Sequence, residues 1–187
     1  MNASSNSSWY FWIILFIIAI VFAFIRDRTQ NSNNKGIYQA IQLIRSNFVF
    51  LFERGFKIVN KMYDSQAFGN WIVVLRSKEC IVRFIQDRND IQMEIGPSWA
   101  SSEISPSKGF VGVDLLLEYI ENGRIISVTT KESQTDLNTQ MQKLAAVFAA
   151  HYDELLTFVN RDDFSEELEK IKSLFTNELR KRYPNIQ

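Results

Sequence analysis

The residues able to do chemistry in this chain are few and scattered. One histidine, His151, occurs among the 187 residues, which excludes a zinc site built on a histidine pair. It lies between Phe148 and Leu155 on a helical stripe, the place of a residue at the edge of a core, and no serine or cysteine is spaced to use it as a base. The single cysteine, Cys80, alternates with Val82 and Phe84, which predicts a buried, inert thiol. Alone it can form neither an intrachain disulfide nor a cysteine metal cluster. GxxxxGK and GxGxxG are both absent, so no glycine-rich loop is present to cradle a phosphate. A magnesium-dependent nuclease core would need an acidic residue on one strand and a Glu-x-Lys on the next, but Glu94 is followed by Ile95-Gly96. Asp64, Asp87 and Asp90 stand at turns, where aspartate serves the backbone. The expectation is therefore no catalytic, metal or cofactor-binding residue, with an unrecognised carboxylate site drawn from Asp87, Asp90 and Glu94 as the alternative.

Charge narrows the partners. The 21 basic and 21 acidic residues all follow Ile25, so the polar part is balanced and no nucleic-acid partner is expected.

The elements that carry these residues begin with WYFWIILFIIAIVFAFI, Trp9 to Ile25, a stretch without charge, proline or glycine. As a helix it would span roughly 25 Å, close to the thickness of a bilayer core. Trp9, Tyr10 and Trp12 cluster at one end, and Arg26, Arg28 and Lys35 follow the other. Aromatic rings favour the headgroup layer, and basic residues stay inside. The reading is a single-pass protein of the cell membrane: a tail over 1–8 outside, a transmembrane helix over 9–25 in contact with lipid, a linker over 26–36, and one domain over 37–187 in the cytoplasm. A cleaved signal peptide is the rival, because Val21-Phe22-Ala23 has suitable small residues, although MNASSNSS lacks the basic residues of such a leader. Asn2-Ala3-Ser4 and Asn6-Ser7-Ser8 match the glycosylation acceptor pattern. Ala19 and Ala23 form a small-xxx-small pair through which two helices could meet as a homodimer.

The linker RDRTQNSNNKG is too polar to bury surface. Ile37, Ile41, Ile44, Phe48 and Phe52 then predict a helix ending near Gly55. From Phe56 the period becomes two: FKIVNKMY, NWIVVLRS, ECIVRFIQ and DIQMEIG predict a four-stranded antiparallel meander. Pairing Gln86 with Ile91 sets Arg83 opposite Glu94. One sheet face then carries Trp71, Val73, Leu75, Cys80, Val82, Phe84, Met93 and Ile95, and should pack on helices. The other carries Ile72, Val74, Arg76, Ile81, Arg83, Ile85, Gln92 and Glu94. Its apolar groups rimmed by charge form the candidate surface for another protein.

PSWASSEISPSKGF, Pro97 to Phe110, should be an exposed loop with Trp99 anchoring it to the core. A short helix is expected from Val113 to Asn122 with Gly123 as its stop, and GRIISVTT as a fifth strand or an extended connection. Two long helices close the chain: one starting near Thr135 or Asp136 with the stripe Leu137, Met141, Leu144, Phe148, Leu155 and Val159, and one capped by Asp163 or Ser165 and ending in Arg180 to Arg182. The fold class is α+β, with the three C-terminal helices on one sheet face.

Gly55-Phe56, Phe68-Gly69-Asn70-Trp71, Leu75-x-Ser77 and Arg83-Phe84-x-x-Asp87-Arg88 together resemble small bacterial immunity-protein-like domains, over residues 55–96. These are turn and sheet residues, so the resemblance implies a fold and a setting in bacterial conflict, and no catalytic residue. The expected function is a membrane-anchored, non-enzymatic binding or regulatory protein of the immunity or defence-accessory kind. A structural subunit of a membrane complex is a further alternative.

Overall fold

Branched and aromatic residues are concentrated along residues 57–97, and short turn sequences fold that stretch back on itself three times. The computed structural model of the chain describes residues 18, 35–104, 109–123 and 136–183. A helix over residues 35–47, α1, breaks at Phe48 and continues as α2, Val49–Glu53. Gly55, at φ 83°, ends this run in the left-handed conformation expected of it. The strands β1 (Lys57–Asp64), β2 (Asn70–Arg76), β3 (Cys80–Asp87) and β4 (Asp90–Pro97) follow, and β5 (Val111–Gly112) adds a fifth. The sheet is antiparallel, its strands in sequence order. Four helices complete the fold: α3 (Val113–Asn122), α4 (Leu137–Ala150), α5 (Tyr152–Val159) and α6 (Phe164–Arg182).

The register is the expected one, Gln86 facing Ile91 and Arg83 facing Glu94. All eight residues assigned to the apolar face, from Trp71 to Ile95, join one buried core with Ile44 and Phe48 of the first helical segment, Leu116, Met141, Phe148, Leu155 and Ile171. The helices therefore cover that face, as side chains alternating at period two require.

Several boundaries differ from expectation. Lys35 and Gly36, placed in the linker, are already helical, and Gly36 lies so close to the Tyr63 ring that a Cβ there would meet it at 2.1 Å. The helix expected to run through His151 divides there, His151 taking φ −112° between α4 and α5. Its stripe gives no sign of the division, since Met141, Ala145, Phe148, Tyr152, Leu155 and Val159 stay buried at helical spacing across it. Asp163 does not cap α6, because its carboxylate is held by Arg161 at 2.6–2.8 Å instead.

Among the described residues no helix is long and apolar enough to cross a membrane. The expected transmembrane helix over 9–25 with its contact residues Ala19 and Ala23, the tail over 1–8, and the segment 124–130 lie outside the described residues, Ile18 excepted.

Candidate functional site

Facing residues of an antiparallel sheet share a side, so the pairings divide the second face into rows. Nearest the β1–β2 and β3–β4 turns lies Met62, Ile72, Ile85, Gln92; next comes Asn60, Val74, Arg83, Glu94; then Lys57, Arg76, Ile81, Gly96.

The chain covers the last two rows itself. After the turn at Pro97, residues 98–104 fold back as a strap, and Ala100 and Phe110 close on Val74 and Ile81 in a second, smaller core beside Ile72. Three sheet side chains hold the strap by its backbone: Arg76 Nη2 donates to the Ala100 carbonyl, Asn60 Nδ2 to Ser102 at 3.0 Å, and Arg83 Nη1 to Ile104 at 3.3 Å. The acceptors are alternate carbonyls of the strap, Ala100, Ser102 and Ile104. Gly96 allows the close approach, because a Cβ there would stand 2.4 Å from the Gly109 carbonyl oxygen.

Arg83 is satisfied on every side. Its Nε donates to Glu94 Oε2 at 2.8 Å, Nη2 bonds the same oxygen, and the guanidinium lies 4.6 Å from the Phe110 ring centroid. Arg76 is not: its buried Nε has no acceptor among the described residues. An unmet buried donor costs on the order of 1–3 kcal/mol.

This cover corrects the expected docking surface. Val74, Ile81 and Arg83 are buried beneath the strap, while Arg76 and Glu94 are half-buried and engaged in bonds that hold it or its neighbours. Only Ile72 and Ile85 remain half-exposed in the row nearest the turns. The anchoring assigned to Trp99 belongs to Ala100 and Phe110, since Trp99 is 67% exposed. The sequence did not reveal the cover because a serine-rich loop carries no periodicity that says which way it folds.

At the turn end the structure adds residues that sequence reasoning had taken only as turn formers. Asn70 ties the two hairpin tips, donating to Asp87 Oδ1 at 2.9 Å and accepting from the Arg88 amide at 2.6 Å. Asp64 Oδ1 accepts the amides of Gln66 and Ala67, fixing the first tip. Phe68 and Arg88 both take left-handed backbone angles, φ 60° and 59°. For such side chains that conformation costs on the order of 1–3 kcal/mol. The strained Phe68 is nonetheless 78% exposed, with the Arg88 guanidinium 5.6 Å from its ring. Exposed Met62 and half-exposed Ile72 and Ile85 lie in the adjacent row.

The groups sought for catalysis are dispersed. Burial pushes the Cys80 thiol up to about 12. Tyr152, its pKa raised chiefly by burial, donates its hydroxyl to Glu79 at 3.1 Å. His151 is half-exposed and lies 3.1 Å from Glu154. Asp87 and Asp90 face each other at a hairpin tip, whereas Glu94 lies farther along β4 on Arg83. Among the described residues no three histidine, cysteine or acidic side chains converge to hold a metal ion. A cavity of about 410 Å³ opens between α3 and α5, lined by Ile120, Asp153, Glu154, Thr157, Phe158 and Arg161, and takes in none of the three candidate carboxylates.

No protein-family model matches the chain, and no curated protein or solved structure matches it.

Proposed function

We propose that this chain is a membrane-anchored, non-enzymatic binding protein, of the bacterial immunity or defence-accessory kind, that holds a partner protein at the hairpin end of its strap-bearing sheet face. The anchor is the charge-free stretch Trp9 to Ile25, and the setting rests on the turn and sheet motifs between Gly55 and Arg88. The observation that supports contact as the domain's work is Phe68: a strained aromatic turned to solvent does nothing for the fold that glycine would not do better. Aromatic and arginine side chains are also the types that dominate binding energy at protein interfaces.

The test is co-purification from detergent extract with the unaltered chain as bait, followed by affinity measurement on the partner recovered. Phe68→Ala should weaken that partner by roughly thirtyfold, the scale of one anchor residue, while the unfolding midpoint stays unchanged. A partner that binds Phe68→Ala and Ile85→Asp as tightly as the unaltered chain would overturn the placement, and the absence of any reproducible partner would overturn the reading.

A further inference from the structure

The point at which the chain enters its domain is fixed by two glycines. Lys35 opens α1, and the Tyr63 ring lies against the next residue, Gly36, so closely that a Cβ there would meet it at 2.1 Å. The hydroxyl of the same tyrosine reaches Gly69, 3.0 Å from where a Cβ would stand, in the β1–β2 turn beside Phe68. The first turn of α1 and the hairpin end are therefore packed together through Tyr63. Everything before Lys35, the charge-free stretch Trp9 to Ile25 included, joins the domain at that end.

We infer that the hairpin end, with Phe68 and Arg88 at its tip and Tyr38 and Met62 beside them, seats on the headgroup layer of the bilayer that holds the anchor. This rests on the anchor of the reading above and adds what the tip meets when no partner protein covers it. Residues 26–34 are all that separates Ile25 from Lys35, and nine residues reach no farther than about 30 Å however they fold. A domain of this size is roughly 40 Å across. The attached end is thus held nearest the lipid, and the β2–β3 turn, at the other end of the sheet, stands farther off.

The chemistry of that end suits the layer. Phe68 is 78% exposed, Tyr38 63% and Met62 43%, and a bilayer surface takes such groups out of water, aromatic rings above all. The Arg88 guanidinium, 5.6 Å from the Phe68 ring centroid, supplies donors for a lipid phosphate. Lys35, Lys61 and Arg88 are offset by Asp64, Asp87 and Asp90, so the end carries no excess of positive charge. Asp64 and Asp87 spend oxygens on the tip itself, on the amides of Gln66 and Ala67 and on Asn70. Seating therefore comes from apolar contact and needs no anionic lipid, so neutral phosphatidylcholine suffices.

The test places the full chain in nanodiscs of phosphatidylcholine, part of it carrying a nitroxide on the headgroup. Cys80 is the single cysteine and is buried, so a fluorophore attaches where a second cysteine is introduced. Gln66→Cys labels the tip and Lys78→Cys the β2–β3 turn, both at exposed positions and roughly 25 Å apart along the strands. The nitroxide should quench the tip label at least twofold more strongly than the far one. Phe68→Asp, a residue type that tolerates the left-handed angle, should bring the tip label down to the level of the far one. Equal quenching at the two positions overturns the inference, and so does tip quenching that Phe68→Asp leaves unchanged. A chain that does not enter the discs overturns it together with the anchor. The discs hold no partner protein, so tip quenching beside a failed co-purification condemns only the partner, and co-purification through Phe68 without tip quenching condemns only the seating on lipid.

Discussion

Arg83 is 4% exposed, yet it is not a burden on the fold, because Glu94, the Ile104 carbonyl and the Phe110 ring between them meet its charge and its donors. Removing one partner of such a pair is costlier than removing both. Arg83→Ala should lower the stability of the chain by about 3 kcal/mol in urea titration, and Arg83→Met with Glu94→Leu should recover most of it. Cys80 carries the second prediction at this scale. Its thiol loses its proton near 9.0 when unfolded and near 12 when folded, so the stability it contributes is complete below pH 9.0 and falls as pH rises toward 12. Tyr152, raised from 10.0, acts in the same direction. Alkaline unfolding beginning above pH 9.0 checks the sign, and iodoacetamide at pH 8 should label Cys80 only in denaturant, since the buried thiol stays protonated in the folded chain. The burial of Cys80 and the pairing of Arg83 were both legible in the sequence, because each follows from strand alternation. The strain at Phe68 was not, because a turn sequence does not state which of its residues takes the left-handed angle.

Helix ends show where local signals hold and where a neighbour overrides them. Asp136 caps α4, accepting the amides of Asn138 and Thr139, and Thr139 holds its carboxyl below the usual aspartate range. Asp163 has the same residue type at the start of α6 but gives its oxygens to Arg161, two residues before it. Asp136→Ala should therefore lower the midpoint of thermal unfolding, the usual result of losing a cap. Asp163→Ala should leave the midpoint close to that of the unaltered chain, since it loses only an exposed ion pair. Thermal unfolding of the two variants side by side separates them. The division of the long helix at His151 obeys the same lesson: its buried positions keep one helical spacing, so only the backbone angle of His151 reveals the break.

For the whole molecule, the anchor proposed over residues 9–25 makes a prediction about where the domain works. The chain should sediment with membranes, resist alkaline carbonate and come into solution with detergent, whereas a form lacking residues 1–25 should fractionate as soluble. A mature protein beginning at Phe24 would instead mark the stretch as a cleaved leader. Behind that stretch, the α+β class, four of the five strands, the register and the apolar face were determined by the sequence itself, since alternation at period two and polar turns act between neighbours along the chain. The fate of the second face was decided only by tertiary structure. Whether Val74 and Ile81 meet solvent or Ala100 and Phe110 depends on a loop without periodicity, on the missing side chain of Gly96, and on three donors brought together from three strands, and no one segment of the sequence contains that arrangement.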